Sequence, residues 1–375
     1  MSNTRRKPNR RGRRLSQSPE NIRKRRRFYT ICVLFIVVLI IIIAAASGHK
    51  DKEPVSTGPA KVPTKTVTLA PAELNGKWGY IDKSGKTIIQ FTFDKAQPFG
   101  PNGLAAVKNS EGKWGYIHTD GSYAISPTFE SDAYGNSPIG DFTASGLAPA
   151  RNGEGKYGFI NASGKYVIPA DYDSVRQFAD NGLAAVSQNG LWGYINTHGK
   201  MVLPCKYSDA GDFGSNGLAP IKAGSSSFYS YIDSSGKEVI QAQFKQAYPF
   251  RNGLAAVQTS SGVCKYIDKT GIPVSTKIFG FLRGGHGSSS YYLGSFAKNG
   301  LCPATSGSGL SGYIGRDGVF SIEEQFYRVD NFSDSGLAAI ETKEYKWGFI
   351  DRTGQTVISP QYEDVGSFST VTIRA

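Results

Sequence analysis

The stretch GKWGYIDKSGK at Gly76–Lys86 recurs along most of the chain and decides its architecture. Close copies are GKWGYIHTDG at Gly112–Gly121, GKYGFINASGK at Gly155–Lys165, GLWGYINTHGK at Gly190–Lys200 and KWGFIDRTGQ at Lys346–Gln355. More divergent copies are YSYIDSSGK at Tyr229–Lys237, CKYIDKTG at Cys264–Gly271 and SGYIGRDG at Ser311–Gly318. Self-similarity at a regular spacing indicates a repeat architecture, so no single motif can be interpreted before the repeat is defined.

One aromatic residue, followed by isoleucine, gives each copy a fixed reference point. Most copies are about 35 to 37 residues apart, with two longer gaps. We number the eight units by these residues, in chain order, and call the residues the anchor aromatics: Tyr80, Tyr116, Phe159, Tyr194, Tyr231, Tyr266, Tyr313 and Phe349.

Each unit predicts the order strand, strand, tight turn, strand, loop. A small-residue strand such as LAAV at Leu104–Val107 precedes the Trp-Gly strand, and a β-rich run such as VIPADYD at Val167–Asp173 follows it. The intervening turn has a glycine where a short hairpin needs positive φ. No segment after Ser47 shows a sustained helical period, so this region is predicted to be entirely β.

All four tryptophans occupy the same position of the repeat, and tyrosine fills it in two further units. Large side chains next to small alanines favour a stacked core over a set of exposed ligand platforms. The predicted core residues are Trp78, Trp114, Tyr157, Trp192, Tyr229 and Trp347. Cys264 and Ser311 stand at this position in units six and seven, which we therefore expect to be the least stable part of the domain.

The pattern KWGYID-x-x-G-K, followed by P-x-[YF]-[DE] and NGLAAV, resembles the WG (KWG) β-repeat family of bacterial proteins. The resemblance covers about Val67–Phe368. It implies an all-β repeat domain, commonly exported or membrane-linked, without a general biochemical activity. It supplies no catalytic residues.

Short β units that bury a face only by stacking can form either of two architectures. Eight units suit a closed β-propeller-like ring of small blades, in which units this short would be three-stranded. The alternative is an open β-solenoid, which would need polar capping units. The last unit retains its full signature, and this favours closure.

The N-terminal region predicts a membrane protein. Residues 1–27 form a basic, disordered cytoplasmic tail, and residues 28–47 are about 20 uncharged residues that match the thickness of a bilayer. The positive charges before this segment place the N-terminus inside the cell and the repeats outside, at the cell membrane. Residues 48–66 are a Pro/Thr/Lys-rich linker, and 67–375 form the WG-repeat domain. A cleaved signal peptide is the alternative, since Ala44–Ala46 resembles a cleavage site.

The two long gaps between units contain insertions, at Ser131–Asp141 in unit two and Gly280–Ser295 in unit six. Insertions in repeat proteins form loops, which often bind ligands. The candidate partner-binding residues are Tyr134, Arg283, His286, Tyr291 and Tyr292. Neutral surface variation is the alternative explanation.

No catalytic, cofactor or metal-binding motif is recognisable in the sequence. His118 and His198 are isolated within predicted turns. The repeated acids begin the same turns, where an Asp side chain bonds its own backbone: Asp82, Asp233, Asp268 and Asp351. Cys205, Cys264 and Cys302 lack metal-ligand spacing, and a single bridge between two of them remains open.

These features predict a membrane-anchored, exported module that binds or scaffolds, and no enzyme. Its partner would be a protein or an envelope polymer, with no nucleic acid expected. One alternative is a structural or accessory subunit of a membrane complex, in which the tail and anchor carry the contacts. A minor alternative is a hydrolase acting on the envelope.

Overall fold

The repeats fold into β-strands throughout. The computed structural model describes residues 64–132, 134–274, 282–283, 291–292, 294–305 and 307–374, and every regular element among them is a strand. All of them belong to the compact unit Val62–Ala375. The all-β repeat fold predicted from the sequence is therefore confirmed.

The described residues contain thirty strands, which follow one another in chain order. Units one to three contain β1 (Thr64–Leu74), β2 (Lys77–Ile81), β3 (Thr87–Phe93), β4 (Lys95–Ala96), β5 (Ala105–Lys108), β6 (Lys113–Ile117), β7 (Tyr123–Glu130), β8 (Ala148–Arg151), β9 (Tyr157–Ile160), β10 (Tyr166–Tyr172) and β11 (Ser174–Val175). Units four and five contain β12 (Leu183–Gln188), β13 (Leu191–Asn196), β14 (Met201–Ala210), β15 (Ala219–Ala223), β16 (Tyr229–Ile232) and β17 (Glu238–Ala247).

The remaining strands belong to units six to eight. They are β18 (Ala255–Thr259), β19 (Cys264–Ile267), β20 (Leu282–Arg283), β21 (Tyr291–Tyr292), β22 (Cys302–Thr305), β23 (Ser311–Ile314), β24 (Phe320–Phe326), β25 (Arg328–Val329), β26 (Ala338–Glu341), β27 (Trp347–Ile350), β28 (Thr356–Tyr362), β29 (Asp364–Val365) and β30 (Ser369–Arg374).

Units with complete sheets contain four antiparallel strands, one more than the three expected from the repeat length. The orders β4-β5-β6-β7 and β25-β26-β27-β28 show the pattern. The extra strand is only two residues long and comes from the end of the preceding unit. In β14 and β17 the corresponding residues form the end of one long strand, and these two strands join units four, five and six into a nine-stranded sheet that begins with β11.

The first and last strands of the repeat domain pair with each other. β29, from the end of unit eight, pairs with β1 at Ala72 and Glu73. The strands β4, β11 and β25 pair in the same way with the first strand of the unit that follows them. β30 then pairs with the first half of β1, from Leu69↔Ser369 to Thr64↔Arg374. β1 thus begins at Thr64, within the predicted linker. No sheet among the described residues closes on itself.

The core consists of eight clusters, each shared by two consecutive units. One cluster, for example, joins Tyr116 and Ile125 of unit two with Ala148 and Ile160 of unit three. The cluster around Phe349 joins unit eight to Ala70 and Ile81 of unit one. Each unit therefore buries its apolar face only against its neighbours, as expected for a repeat protein.

The glycine of the Trp-Gly dipeptide permits a backbone contact between strands. A Cβ on Gly115 would lie 2.6 Å from the Ile125 carbonyl oxygen, and one on Gly348 would lie 2.5 Å from the Ile358 oxygen. The pairing register shifts at the same place, between Trp114 and Tyr116. The absence of a side chain on this glycine therefore allows the neighbouring backbone to approach closely.

The hairpin turns have the predicted chemistry. Gly85 adopts φ +84°, and Asp82 Oδ1 accepts hydrogen bonds from the backbone N–H groups of Ser84 and Lys86. The other three repeated acids make equivalent bonds, so these carboxylates are turn formers.

The residues assigned to the tail, the transmembrane segment and most of the linker lie outside the described residues. Within the described ranges, no helix has the length and apolar character needed to cross a bilayer.

Candidate functional site: a cavity lined by all eight units

A second aromatic residue in every unit packs on the anchor aromatic. Ring centroids are separated by 4.5 Å for Phe159 and Phe178, the closest pair, and by 5.0 Å for Tyr231 and Phe250. Each second ring begins the loop that returns to the small-residue strand, and we call these residues the loop phenylalanines: Phe99, Phe142, Phe178, Phe213, Phe250, Phe296, Phe332 and Phe368.

A hydrogen bond fixes the same loop wherever the anchor is tyrosine. Tyr116 Oη donates to the Gly140 carbonyl at 2.6 Å, and Tyr266 Oη donates to the Gly294 carbonyl at 2.8 Å. Burial raises the pKa of Tyr116, so this hydroxyl stays protonated and able to donate. The anchor thus holds the loop through both its ring and its hydroxyl, although Phe159 and Phe349 hold it through the ring alone.

The eight loops converge on one cavity of about 650 Å³, which we call the eight-loop cavity. In units one to five, the cavity is lined by the loop phenylalanine and the residues next to it. Units six, seven and eight each contribute one lining residue, namely Lys298, Asp334 and Ser369. Most residues that directly follow the phenylalanine are small, as Gly100, Ala179 and Ser369 are. The cavity therefore belongs to the repeat as a whole rather than to one insertion.

The residue before the loop phenylalanine lines the cavity in units one to five. It is Asp141, Gln177 and Asp212 in units two, three and four, but Pro98 and Pro249 in the flanking units one and five. Burial raises the pKa of Asp141, and the neighbouring Gln177 side chain opposes the rise. We call Asp141, Gln177 and Asp212 the polar arc.

Asp212 is less well satisfied than Asp141. Its Oδ1 is buried and accepts no hydrogen bond from any described residue. Burial raises the pKa of this carboxyl, while the positive charges of Arg176 and Arg251 lower it. Arg251 follows the loop phenylalanine of unit five, a position that glycine, alanine, serine or threonine occupies in the other units. Its loop is also one residue shorter, with Asn252 at φ +50°.

The unit-two insertion borders a second cavity of about 630 Å³, which we call the side cavity. Gly135–Ser137 line it together with Trp78, Trp114 and residues of units seven and eight. Trp114 Nε1 donates to Ser131 Oγ at 3.0 Å, which ties the beginning of the insertion to the core.

The predicted partner-binding residues are placed only in part. Tyr134 is 89% exposed at the tip of the unit-two insertion. Arg283 pairs with Tyr291 in the short β20–β21 ladder, next to Tyr292, while His286 lies outside the described residues. Tyr134 lines neither cavity described above.

The predicted core aromatics do not all have the same environment. Trp78, Trp114 and Trp347 are buried, whereas Tyr157, Trp192 and Tyr229 are half-buried. Basic side chains lie over several of these rings, including Arg176 over Trp192 at 5.3 Å from the ring centre.

Sequence reasoning missed the polar arc. The available signal was the residue before the loop phenylalanine, which is proline in units one and five, aspartate or glutamine in units two to four, and serine or asparagine in units six to eight. Cys205, Cys264 and Cys302 are free thiols. In the part of the chain that the structure describes, no three His, Cys, Asp or Glu side chains are grouped to hold a metal ion.

The fold is similar to several solved structures. It resembles a dihydro-heme d1 dehydrogenase, NirN, in complex with DHE, at 12% identity and a TM-score of 0.53, covering 85% of this chain and 78% of that one. A structure titled as the eukaryotic initiation factor aligns at 11% identity and a TM-score of 0.51, covering 82% and 98% of the two chains. BamB from Moraxella catarrhalis gives 11% identity and a TM-score of 0.43, covering 74% and 96%. At these identities, the first two similarities show the fold alone.

No curated protein matches the sequence. The model of the WG containing repeat matches six segments, which together span more than half of the chain: residues 78–114, 114–157, 157–192, 192–225, 229–261 and 347–369. Units six and seven lie between the last two segments. The chain belongs to the WG containing repeat family.

Proposed function

We propose that the eight units form a closed ring of propeller-like blades that binds a partner at the eight-loop cavity. Two observations support closure over an open solenoid. Every core cluster joins two neighbouring units, and one of them joins unit eight to unit one. β29 of unit eight also pairs with β1 of unit one, in the same way as β4 of unit one pairs with β5 of unit two.

The cavity carries the proposal of binding, because all eight units contribute to its lining. A site at a pseudo-symmetry axis gathers one loop from every unit, so its composition can change while the blades stay constant. We propose that the module acts by binding a protein or an envelope polymer, without catalysis and without nucleic acid.

We also propose that residues 28–47 anchor the chain in the cell membrane, with the tail 1–27 inside and the repeats outside. The length and apolar character of this segment support the proposal, as do the basic residues before it. Membrane fractionation of the full chain tests it. A protein released by alkaline carbonate washing, or one shortened after Ala46, would contradict it.

Site-specific photo-cross-linking tests where the partner binds. Ala144 lines the eight-loop cavity and is exposed, whereas Ala242 is exposed on the third strand of unit five and lines neither cavity. A photoreactive residue placed at either position in the full-length chain should leave the fold intact. We expect a discrete cross-linked product from position 144 and none from position 242. Equal products from both positions, or a product from 242 alone, would contradict the proposal.

A further inference from the structure

Exposed apolar side chains are concentrated at one end of the sheets. Among the described residues, eleven of the fourteen exposed large hydrophobic side chains lie within three residues after the glycine of the turn that follows the second strand. The third residue after this glycine is between 41% and 48% exposed in six units: Ile88, Val167, Val202, Val239, Val274 and Val357. Units two and seven expose Tyr123 and Val319 instead. We call these eight residues, one from each unit, the apolar rim.

Strand propensity alone does not account for the apolar rim. Farther along the same strands the exposed positions are polar, as are Gln90 in β3, Lys206 in β14 and Gln361 in β28. β3 and β28 are edges of their sheets, where exposed apolar side chains favour association with other molecules. In the described residues, the turns at the opposite end expose only Leu191 and Tyr345. The restriction to one end therefore indicates a surface that this end contacts.

The apolar rim lies at the same end of the domain as the eight-loop cavity. The first two strands of each unit are antiparallel, so the turn after the second strand returns to the loop from which the first strand begins. Two hydrogen bonds join such turns to these loops. Lys83 Nζ donates to the Ser335 carbonyl at 3.1 Å, and Arg316 Nη2 donates to the Asn252 carbonyl at 3.1 Å. Both acceptors belong to loops that begin with a loop phenylalanine.

The chain also enters the domain at this end. The first half of β1 pairs with β30, whose first residue, Ser369, lines the eight-loop cavity. Ile373 of β30 lies against the unit-two loop, 3.3 Å from where a Cβ on Gly103 would stand. Before Thr64, the sixteen residues 48–63 lead back to residues 28–47, which we propose as a membrane anchor. Even fully extended, sixteen residues span at most about 55 Å. The proposed anchor is therefore tethered to the end that carries the rim.

We propose that the apolar rim contacts the lipid surface of the membrane in which the chain is anchored. This inference rests on the proposed ring and anchor, and it adds a second contact with the same bilayer. A lipid surface can touch all eight units at once, whereas a protein partner of standard size covers one patch of about 800 Å². The eight-loop cavity opens at the same end, so its partner would reach it along the membrane surface.

Lysines beside the rim suit lipid headgroups. Lys165, Lys200 and Lys237 directly follow the turn glycine and are exposed. A lysine next to an apolar side chain can lay its stem along the apolar surface while its ammonium group stays among the lipid phosphates. Turn aspartates such as Asp82 and Asp233 offset much of this charge. We therefore expect the contact to be mainly apolar and to persist at high salt.

Photolabelling from the lipid tests the inference on the native sequence. The full-length protein is reconstituted into vesicles of phosphatidylethanolamine and phosphatidylglycerol that contain a phospholipid with a photoreactive acyl chain. Mass spectrometry of the irradiated protein then locates the lipid adducts. We expect adducts on rim segments 200–203 and 355–358 to be at least tenfold more abundant than on the opposite turns 188–191 and 342–345, at low and at high salt.

A matched pair of variants tests the same contact from the protein side. A photoreactive residue replaces Val202 on the rim of unit four or Leu191 at the opposite end of the same unit. The two side chains have similar exposure, 41% and 39%, so neither replacement should disturb the fold, which circular dichroism verifies. We expect lipid adducts from position 202 and none from position 191 in unlabelled vesicles.

Three results would overturn the inference. They are equal labelling of both ends, absence of adducts on the rim, and a cross-link from position 202 to a second copy of the chain without any lipid adduct. Adducts on residues 28–47 without adducts on the rim would leave the proposed anchor standing and reject only the rim contact. Absence of adducts from both regions would reject both.

Discussion

Units two and six contain the same aromatic pair but differ at the dipeptide for which the repeat is named. Unit two has Trp114-Gly115, whereas unit six has Cys264-Lys265. Their ring pairs are separated by 4.8 and 5.0 Å, and each anchor tyrosine donates to its loop. The pair of anchor and loop phenylalanine therefore defines the unit more strictly than the tryptophan does.

Sequence spacing does not control this pair. The carbonyl acceptor follows the anchor tyrosine by 17 residues in unit one, by 24 in unit two and by 28 in unit six. The same hydrogen bond between anchor and loop therefore forms at three different spacings. The segments that match the WG containing repeat do not include the anchor tyrosines of units six and seven, where the Trp-Gly dipeptide is absent. Both units nevertheless retain the contact between the anchor tyrosine and the loop phenylalanine.

The largest expected difference between these regions concerns the tryptophan position. Trp114→Ala should lower the free energy of unfolding by about 3–5 kcal/mol, because it removes a large buried ring from a packed cluster. Cys264→Ala should cost only about 1 kcal/mol, since it removes a single buried sulfur atom. Urea denaturation followed by far-ultraviolet circular dichroism measures both values. Similar losses would mean that the divergent unit depends on its small residue as strongly as unit two depends on tryptophan.

The glycine gives the next largest effect. Gly115→Ala should cost about 2–3 kcal/mol, because its Cβ would meet the Ile125 carbonyl oxygen at 2.6 Å and force the strands apart. In unit six, the corresponding Lys265→Ala should change stability by less than about 0.5 kcal/mol. The urea denaturation midpoints of the two variants, compared with that of the wild type, measure both changes in stability. A neutral Gly115→Ala would show that the strand pair is not as close as described.

The anchor hydroxyl should contribute equally in both regions. Tyr116→Phe and Tyr266→Phe should each cost about 1 kcal/mol, because each removes a buried hydrogen bond to a loop carbonyl. Tyr266 Oη also lies 3.1 Å from Cys302 Sγ, a weak hydrogen-bonding partner that adds little to this loss. Phe159→Tyr adds the hydroxyl to a unit that lacks it and serves as the reverse test. A clearly smaller loss at Tyr266 than at Tyr116 would break the equivalence of the two units.

The smallest expected effect is a dependence on pH that differs between units eight and seven. The Thr353 hydroxyl, followed by backbone N–H groups, lowers the pKa of Asp351 in unit eight. Stability from this carboxylate is therefore fully present above the unfolded pKa, near 4, and is lost as pH falls through the lower folded value. Unit seven has Gly315 at the same position and gains nothing there.

Thr353→Val should move the Asp351 pKa back toward its ordinary value and flatten the loss of stability below about pH 4. Urea midpoints measured from pH 5 to pH 2 reveal the difference, with Asp351→Asn as the variant that cannot titrate. An unchanged acid dependence in Thr353→Val would exclude the hydroxyl as its cause.

Much of the fold could be predicted from sequence because the repeat presents each signal eight times. Gly85 and Asp82 identify a turn that recurs with the same geometry, and Gly115 identifies a close strand contact. The two-residue strands could not be predicted, because residues such as Lys95 and Ala96 have no pattern of their own and pair only through their position in the sheet.

The candidate site was harder to predict for a related reason. Asp141 and Asp212 are distant in sequence, and the likeness of the units hides the position at which they differ. The insertion that contains Tyr134 is the more visible signal, because it interrupts the repeat. Tyr134 lies at a loop tip outside both cavities, whereas the polar arc occupies positions that every unit possesses.

The pairing of the two chain ends has a consequence for the order of events during synthesis. Ala72 finds its partner Val365 only after nearly the whole chain has left the ribosome. Units two to seven can bury their faces as they emerge, but unit one must wait with β1 incompletely paired. An exposed strand edge of this kind invites pairing with other chains. A nascent chain halted before Asp364 should therefore leave Thr64–Leu69, which pairs with β30, open to protease, and release of residues 364–374 should protect it.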